Sequence, residues 1–137
     1  MDVNLLGRVG EAKVIAALSE QGWYPFLDIS GKSPVDLIAW KNGRPLTIQI
    51  KSTTQSKNNS WQVETKRVRI NTKGSVQKGF EQGVCDFLAV YIEPIDVVCF
   101  VPSLEVPAQG MRFVEEKNRT ARTKRVVEDY LLLDKFV

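Results

Sequence analysis

Asp36, Gln49 and Lys51 are the residues of this chain whose types and spacing could do chemistry. They lie in a stretch that reads as two short strands, Val35–Lys41 and Pro45–Lys51, joined by the turn Lys41-Asn42-Gly43-Arg44. Asn-Gly between two apolar runs is a strong hairpin signal, because a tight primed turn requires positive φ at its central residues. In the second strand Leu46, Ile48 and Ile50 alternate with Thr47, Gln49 and Lys51. A period of two sends the first three to the core and the other three to the opposite face. Asp36, near the start of the partner strand, then stands beside that face. A carboxylate, an amide oxygen and an ammonium meet there. The chain has no histidine, which excludes Ser–His–Asp and Cys–His nucleophiles, histidine zinc sites and histidine general bases. Hydrolysis here must rest on carboxylates, lysine and a hard metal ion. The plainer alternative is a cross-strand ion pair of Asp36 with Lys51, worth at most ~1 kcal/mol when exposed.

The elements that would position these residues follow from periodicity. Leu5 to Gly22 predicts a first helix, with Leu5, Val9, Ala12, Ile15, Ala16 and Leu18 as its apolar stripe and Gly22 at its C′ position. Glu11 follows Gly10 on it and, taken alone, reads as a solvated helix charge. Trp23–Asp28 predicts a strand, at an edge because of Pro25. The polar run Ser52–Ser60 predicts a mobile loop, and Trp61–Ile70 a strand with Arg67 and Arg69 on one face beside Thr65. Gly74–Gly83 reads as a short helix. Asp86–Ile92 and Ile95–Val101, around a Glu93-Pro94 turn, are so uniformly apolar that they belong to strands covered on both faces. Pro102–Gly110 reads as loop, and Thr123 caps an expected last helix over Lys124–Lys135, whose Leu131–Leu133 and Phe136 suggest packing or a subunit contact. The result is one α/β domain over residues 1–137, a mixed central sheet flanked by helices.

Composition narrows the class. The chain is 43% hydrophobic and 26% charged, as globular proteins are, and no apolar run approaches the ~20 residues of a membrane span. The first residues lack the basic and apolar regions of a signal peptide. Cys85 and Cys99, each in a strand-like apolar run, read as core thiols, and a reducing, cytoplasmic setting is expected. The net charge of +3 is unevenly spread: residues 51–79 hold seven basic and one acidic, 80–111 five acidic and no basic, 112–125 six basic and two acidic. Such blocks are either solvated faces or an oriented field toward a polyanion. Around Arg67 and Arg69, a basic ribbon could enter the DNA major groove, where arginine reads guanine, or could simply be an exposed strand whose charges discourage edge pairing.

Gly10-Glu11 on a first helix, Asp36 on a strand and Gln49-Ile50-Lys51 on its hairpin partner together resemble the PD-(D/E)XK nuclease superfamily. The pattern covers residues 7 to 51 and is most similar to the small single-domain group that includes archaeal Holliday junction resolvases and a cyanobacterial intron-encoded homing endonuclease type. Two departures stand out: proline precedes Val35 rather than Asp36, and Gln49 replaces the usual second acid. The homing branch tolerates that glutamine; the same change could instead mark a weakened site. The resemblance implies a restriction-endonuclease-like core. It also implies a Mg²⁺ site made by Asp36, the Gln49 amide oxygen and the Ile50 carbonyl, with Glu11 reaching the ion or one of its waters. Lys51 would position the attacking water and stabilise charge on the phosphate.

The expected function is a Mg²⁺-dependent, site-specific endonuclease on double-stranded DNA, of the intron-homing type. A Holliday junction resolvase and a non-catalytic DNA-binding module are the alternatives. Phosphate contacts are expected from Lys57, Lys66, Lys73, Lys117, Arg119, Arg122, Lys124 and Arg125, and base contacts from Gln62, Arg67 and Arg69. Cutting both strands needs two active sites, so a homo-oligomer, dimer or tetramer, is expected, with the last helix as its contact.

Overall fold

Hairpin chemistry sets the centre of the fold. A computed structural model of the chain describes residues 1–65, 67–71 and 74–137, and over 67–71 and 74–78 that description is of the backbone. Its elements are α1 (Val3–Glu20), β1 (Tyr24–Leu27), β2 (Leu37–Lys41), β3 (Arg44–Thr53), β4 (Ser56–Lys57), β5 (Ser60–Val63), β6 (Arg67–Asn71), β7 (Gly74–Lys78), β8 (Phe87–Ile92), β9 (Val97–Pro102) and β10 (Met111–Val114). Asn42 and Gly43 take positive φ between β2 and β3, and Lys41 pairs with Arg44 across that turn.

The main sheet has the order β1-β2-β3-β8-β9, with β3 and β8 parallel and the other neighbours antiparallel. β1 is an edge, as Pro25 predicts. α1 lies on one face, where Val14 and Leu18 meet Leu37, Ala39, Ile48, Ala89 and Phe100. Asp2 starts the helix by accepting the Asn4 N–H at 2.7 Å, and Gly22 follows it with φ of 84°. The opposite face buries Leu88, Val90, Ile92, Cys99 and Val101 against Val63, Met111, Phe113 and Val127. That layer is a smaller sheet, β10-β5-β4, with 3₁₀ turns, so the mixed sheet is flanked by one α-helix and by β structure. Both cysteines are buried and neither forms a disulfide, and burial pushes the Cys99 thiol up to about 12. β8 is buried at every residue, which is why its sequence shows no alternation. Beyond this layer the outer face of β1 and β2 leaves Tyr24, Phe26, Ile38 and Trp40 exposed.

Four expectations are corrected. Gly74–Gly83 is not a helix: Gly74–Lys78 is a strand paired with Arg67–Asn71. Three glycines in ten residues, each costing ~1 kcal/mol in a helix relative to alanine, disfavour the helix, and Arg67–Asn71 supplies the ladder for a strand. Ser52–Ser60 is not one loop, because β3 runs on to Thr53 and β4 turns into β5 through Asn58 and Asn59, both at positive φ. Trp61–Ile70 is two strands in different sheets; between them Thr65 is buried and its hydroxyl donates to the Pro107 carbonyl at 2.7 Å. The last segment is not an α-helix over Lys124–Lys135. Val126 is extended and bridges to Val114, and two 3₁₀ turns follow, Val127–Tyr130 and Leu133–Phe136. This path buries Val127 and Leu133 and sets the Tyr130 ring against Phe113 and Phe136, contacts a straight helix would forgo.

Candidate active site

Asp36 sits where the β2–β3 ladder ends. Leu37 pairs with Ile48, and the Asp36 N–H donates to the Ile48 carbonyl at 3.0 Å. One rung further the strands part, and the Asp36 carboxylate takes over: its Oδ2 accepts the Ile50 N–H at 2.7 Å. This bond holds the carboxylate at the edge of β3 and orients its other oxygen. In an antiparallel pair the N–H and C=O of one residue face the same neighbour. The Ile50 carbonyl is therefore directed to the side on which β2 has ended, beside Asp36.

Gln49 and Lys51 have the other parity. They pair with Leu88 and Val90 of β8, and their side chains share the face opposite α1. Gln49 Oε1 is buried and, among the described residues, has no hydrogen-bond partner. Leaving a buried acceptor unmade costs about 1–3 kcal/mol, so an atom of this kind calls for a donor or a cation. Among the described residues no ion pair engages the half-buried Lys51 ammonium. Lys32, Ser33, Asp36, Gln49 and Glu81 line one cavity of about 470 Å³.

Asp36 and Gln49 thus bring a carboxylate and an amide oxygen to one cavity, and the Ile50 backbone lies beside Asp36. Among the described residues no three His, Cys, Asp or Glu side chains converge, so neutral oxygens have to complete any ion's shell. An all-oxygen set suits a hard divalent ion that keeps several waters. The orphaned Gln49 oxygen fits that use.

Glu11 is placed differently. Gly10 packs so tightly on β3 that an added Cβ would lie 1.8 Å from Ser52 Oγ, and this contact carries α1 past the upper part of β3. Glu11 itself is exposed and does not line the cavity. Sequence reasoning missed Glu81, which does. The signal was faint: one acid in a segment whose periodicity resembles a helix.

A second concavity, about 550 Å³, gathers basic side chains. Gln62, Arg112, Arg122, Lys124 and Arg125 line it, with Glu64 the acid among them. It forms because β10 pairs with β5, setting Arg112 opposite Gln62, and because the Val114 N–H donates to the Arg125 carbonyl at 3.0 Å. Arg125 is partly committed, donating to the Glu105 carbonyl at 2.9 Å. Arg112 was missed by sequence reasoning, although Met111-Arg112-Phe113 alternates as a strand does. Lys57 is exposed on the β4–β5 hairpin; Lys117 and Arg119 are exposed on a 3₁₀ turn, where Arg119 pairs with Glu116 at 3.4 Å. Lys66 and Lys73 lie outside the described residues. Arg67 and Arg69 are on β6, in register with Lys78 and Val76 of β7.

Among the described residues no helix is long and apolar enough to cross a membrane. A family profile described as PD-(D/E)XK endonuclease matches residues 1–132. No curated protein matches the chain by sequence. Among solved structures, that of a bacterial homing endonuclease, I-Ssp6803I, is similar with a TM-score of 0.78 at 21% identity, covering 95% of this chain and 88% of that one. At that identity the likeness establishes a shared fold, the restriction-endonuclease-like core.

Proposed function

We propose, since this chain belongs to the PD-(D/E)XK endonuclease family, that it is a Mg²⁺-dependent, site-specific endonuclease on double-stranded DNA, of the intron-homing type. The observation that carries the site is the buried Gln49 oxygen, without a partner among the described residues, in one cavity with an Asp36 carboxylate held at 2.7 Å by the Ile50 N–H. The fold shared with a bacterial homing endonuclease supports the homing assignment.

Asp36, Gln49 Oε1 and the Ile50 carbonyl would hold the ion, with Glu11 as a further candidate for one of its waters. When bound, a divalent ion polarises a phosphoryl oxygen and lowers the pKa of a water it holds. Everything else falls to the chain. Lys51 supplies positive charge toward the phosphate as negative charge develops there, and orients the attacking water. Asp36 also closes the end of the β2–β3 ladder, so the acid that binds the ion is fixed by backbone. Gln62, Arg112, Arg122 and Lys124 offer a basic groove for phosphates and bases, and β6 with β7 forms a ribbon carrying Arg67 and Arg69. A homo-oligomer, dimer or tetramer, supplies the second active site that a double-strand cut requires.

Cleavage of a complex linear genomic library and of an intact four-way junction, each with and without Mg²⁺, tests this reading, with Asp36→Ala as control. Discrete cuts in linear DNA that require Mg²⁺ and Asp36 are expected. Cutting confined to the junction would instead make the chain a resolvase with the same site chemistry.

A further inference from the structure

We propose that Glu81 is a further oxygen ligand of the divalent-ion site, bound directly or through one of the ion's waters, supplying the second negative charge that Gln49 does not. The inference rests on the metal site described above and adds a residue to it.

Three observations lead here. Glu81 lines the same cavity as Asp36 and Gln49. With Gln49 neutral, Asp36 and Glu81 are the carboxylates among the described residues that line the cavity, and the Gln49 oxygen, without a partner among those residues, marks the place where a cation would be solvated by protein. A hard divalent ion commonly takes one or two carboxylates plus neutral oxygens and waters, and this cavity offers that set.

The segment bearing Glu81 is held on both sides. Before it, Phe80 is buried and its N–H donates to the Ala108 carbonyl at 2.9 Å. After it, the Gln82 amide donates to the Leu104 and Val106 carbonyls at 2.9 and 3.0 Å, and the Gly83 N–H to Ser103 Oγ at 3.1 Å. Glu81 is thus an exposed carboxylate between two fixed neighbours, a support of the kind a pre-organised ligand needs. Lys32 lines the cavity as well, and an ion bound there would compete with such cations for the carboxylate's charge.

Mn²⁺ serves as the probe, its binding followed by titration calorimetry and by the loss of its free-ion paramagnetic resonance signal. The proteins are wild type, Glu81→Gln, Glu81→Asp and Asp36→Asn. Thermal melts verify folding, and duplex binding is measured separately in EDTA. Wild type is expected to bind Mn²⁺, Asp36→Asn to lose it, and Glu81→Gln to weaken it about tenfold, with Glu81→Asp recovering part of the loss. Duplex affinity in EDTA does not fall for Glu81→Gln, since the change removes a negative charge. Mn²⁺ affinity of Glu81→Gln within about threefold of wild type, while Asp36→Asn loses binding, would overturn the role of Glu81 and leave the proposed function standing. A wild type that binds no Mn²⁺ and cuts no DNA would overturn both.

Discussion

Gln49 is the residue at which the site departs from a pair of acids. An amide oxygen can donate a lone pair to an ion but brings no charge, so affinity for a divalent cation should be limited by charge rather than by geometry. Gln49→Glu is therefore expected to lower the half-saturating Mg²⁺ concentration for cleavage about tenfold, close to 1.4 kcal/mol. A Mg²⁺ dependence unmoved by this change would mean that residue 49 does not touch the ion. In the proposed mechanism Lys51 acts on the phosphate, not on the ion. Lys51→Ala should slow cleavage by roughly 10²–10³-fold, the range seen when one pre-organised electrostatic contact is removed, while duplex binding in EDTA changes little. Single-turnover cleavage beside anisotropy binding separates the two, and a Lys51→Ala enzyme of wild-type rate would remove the lysine from the mechanism.

At the level of elements, α1 and the C-terminal turns lock onto the sheet through a few specific contacts. Gly10 leaves room for Ser52, whose Oγ would be 1.8 Å from an added Cβ. Gly10→Ala should destabilise the fold by about 1–3 kcal/mol through overpacking, and Ser52→Ala in the same chain should recover much of it. Denaturant midpoints measure both; no recovery would show that the strain is relieved elsewhere. At the other end, Asp134 Oδ2 pairs with Lys41 at 2.8 Å and Oδ1 accepts the Trp23 indole N–H at 2.9 Å. The Lys41 ammonium, and then the indole, hold its carboxyl below the ordinary 3.8. A carboxyl whose folded pKa is depressed stabilises the fold above its unfolded pKa and loses that contribution as pH falls through the folded value. Asp134→Asn should thus melt below wild type at pH 7, and the gap should narrow as pH falls below the ordinary carboxyl range. A gap that does not vary with pH would mean that the aspartate's charge contributes nothing.

For the whole molecule the charge pattern is the guide. The two basic blocks of the sequence are far apart in the chain, yet Gln62 from the first region and Arg122 and Lys124 from the second line one groove with Arg112. Polyanion binding by such a groove releases counterions, and log affinity falls with log salt by roughly 0.9 per phosphate contact. The double variant Arg112→Ala, Lys124→Ala should shallow that slope by about 1–2 on duplexes of any sequence. Anisotropy across a salt series reads it, and an unchanged slope would place the DNA elsewhere. Sedimentation tests the expected oligomer, whose contact cannot be a last helix, since that segment forms two 3₁₀ turns.

The sequence by itself determined what is local or alternating. The Asn42-Gly43 hairpin, the parity that groups Gln49 with Lys51, the edge position of Pro25 and the continuous burial of β8 all follow from turn chemistry and the two-residue period. The absence of histidine restricted the chemistry before any fold was known. What only the tertiary structure decided concerns residues whose neighbours are distant in the chain. Gly74–Lys78 pairs as a strand because Arg67–Asn71 offers it a ladder. The last residues trade helical bonds for burial of Val127 and Leu133. Asn58-Asn59 carried a readable turn signal that its polar surroundings obscured. Glu81 and Arg112 lie in segments without a distinctive motif; they reach the cavity and the groove only because Phe80 docks on Ala108 and β10 pairs with β5. Periodicity records which face a side chain takes, whereas the partner that face meets is set by packing between segments that the period does not relate.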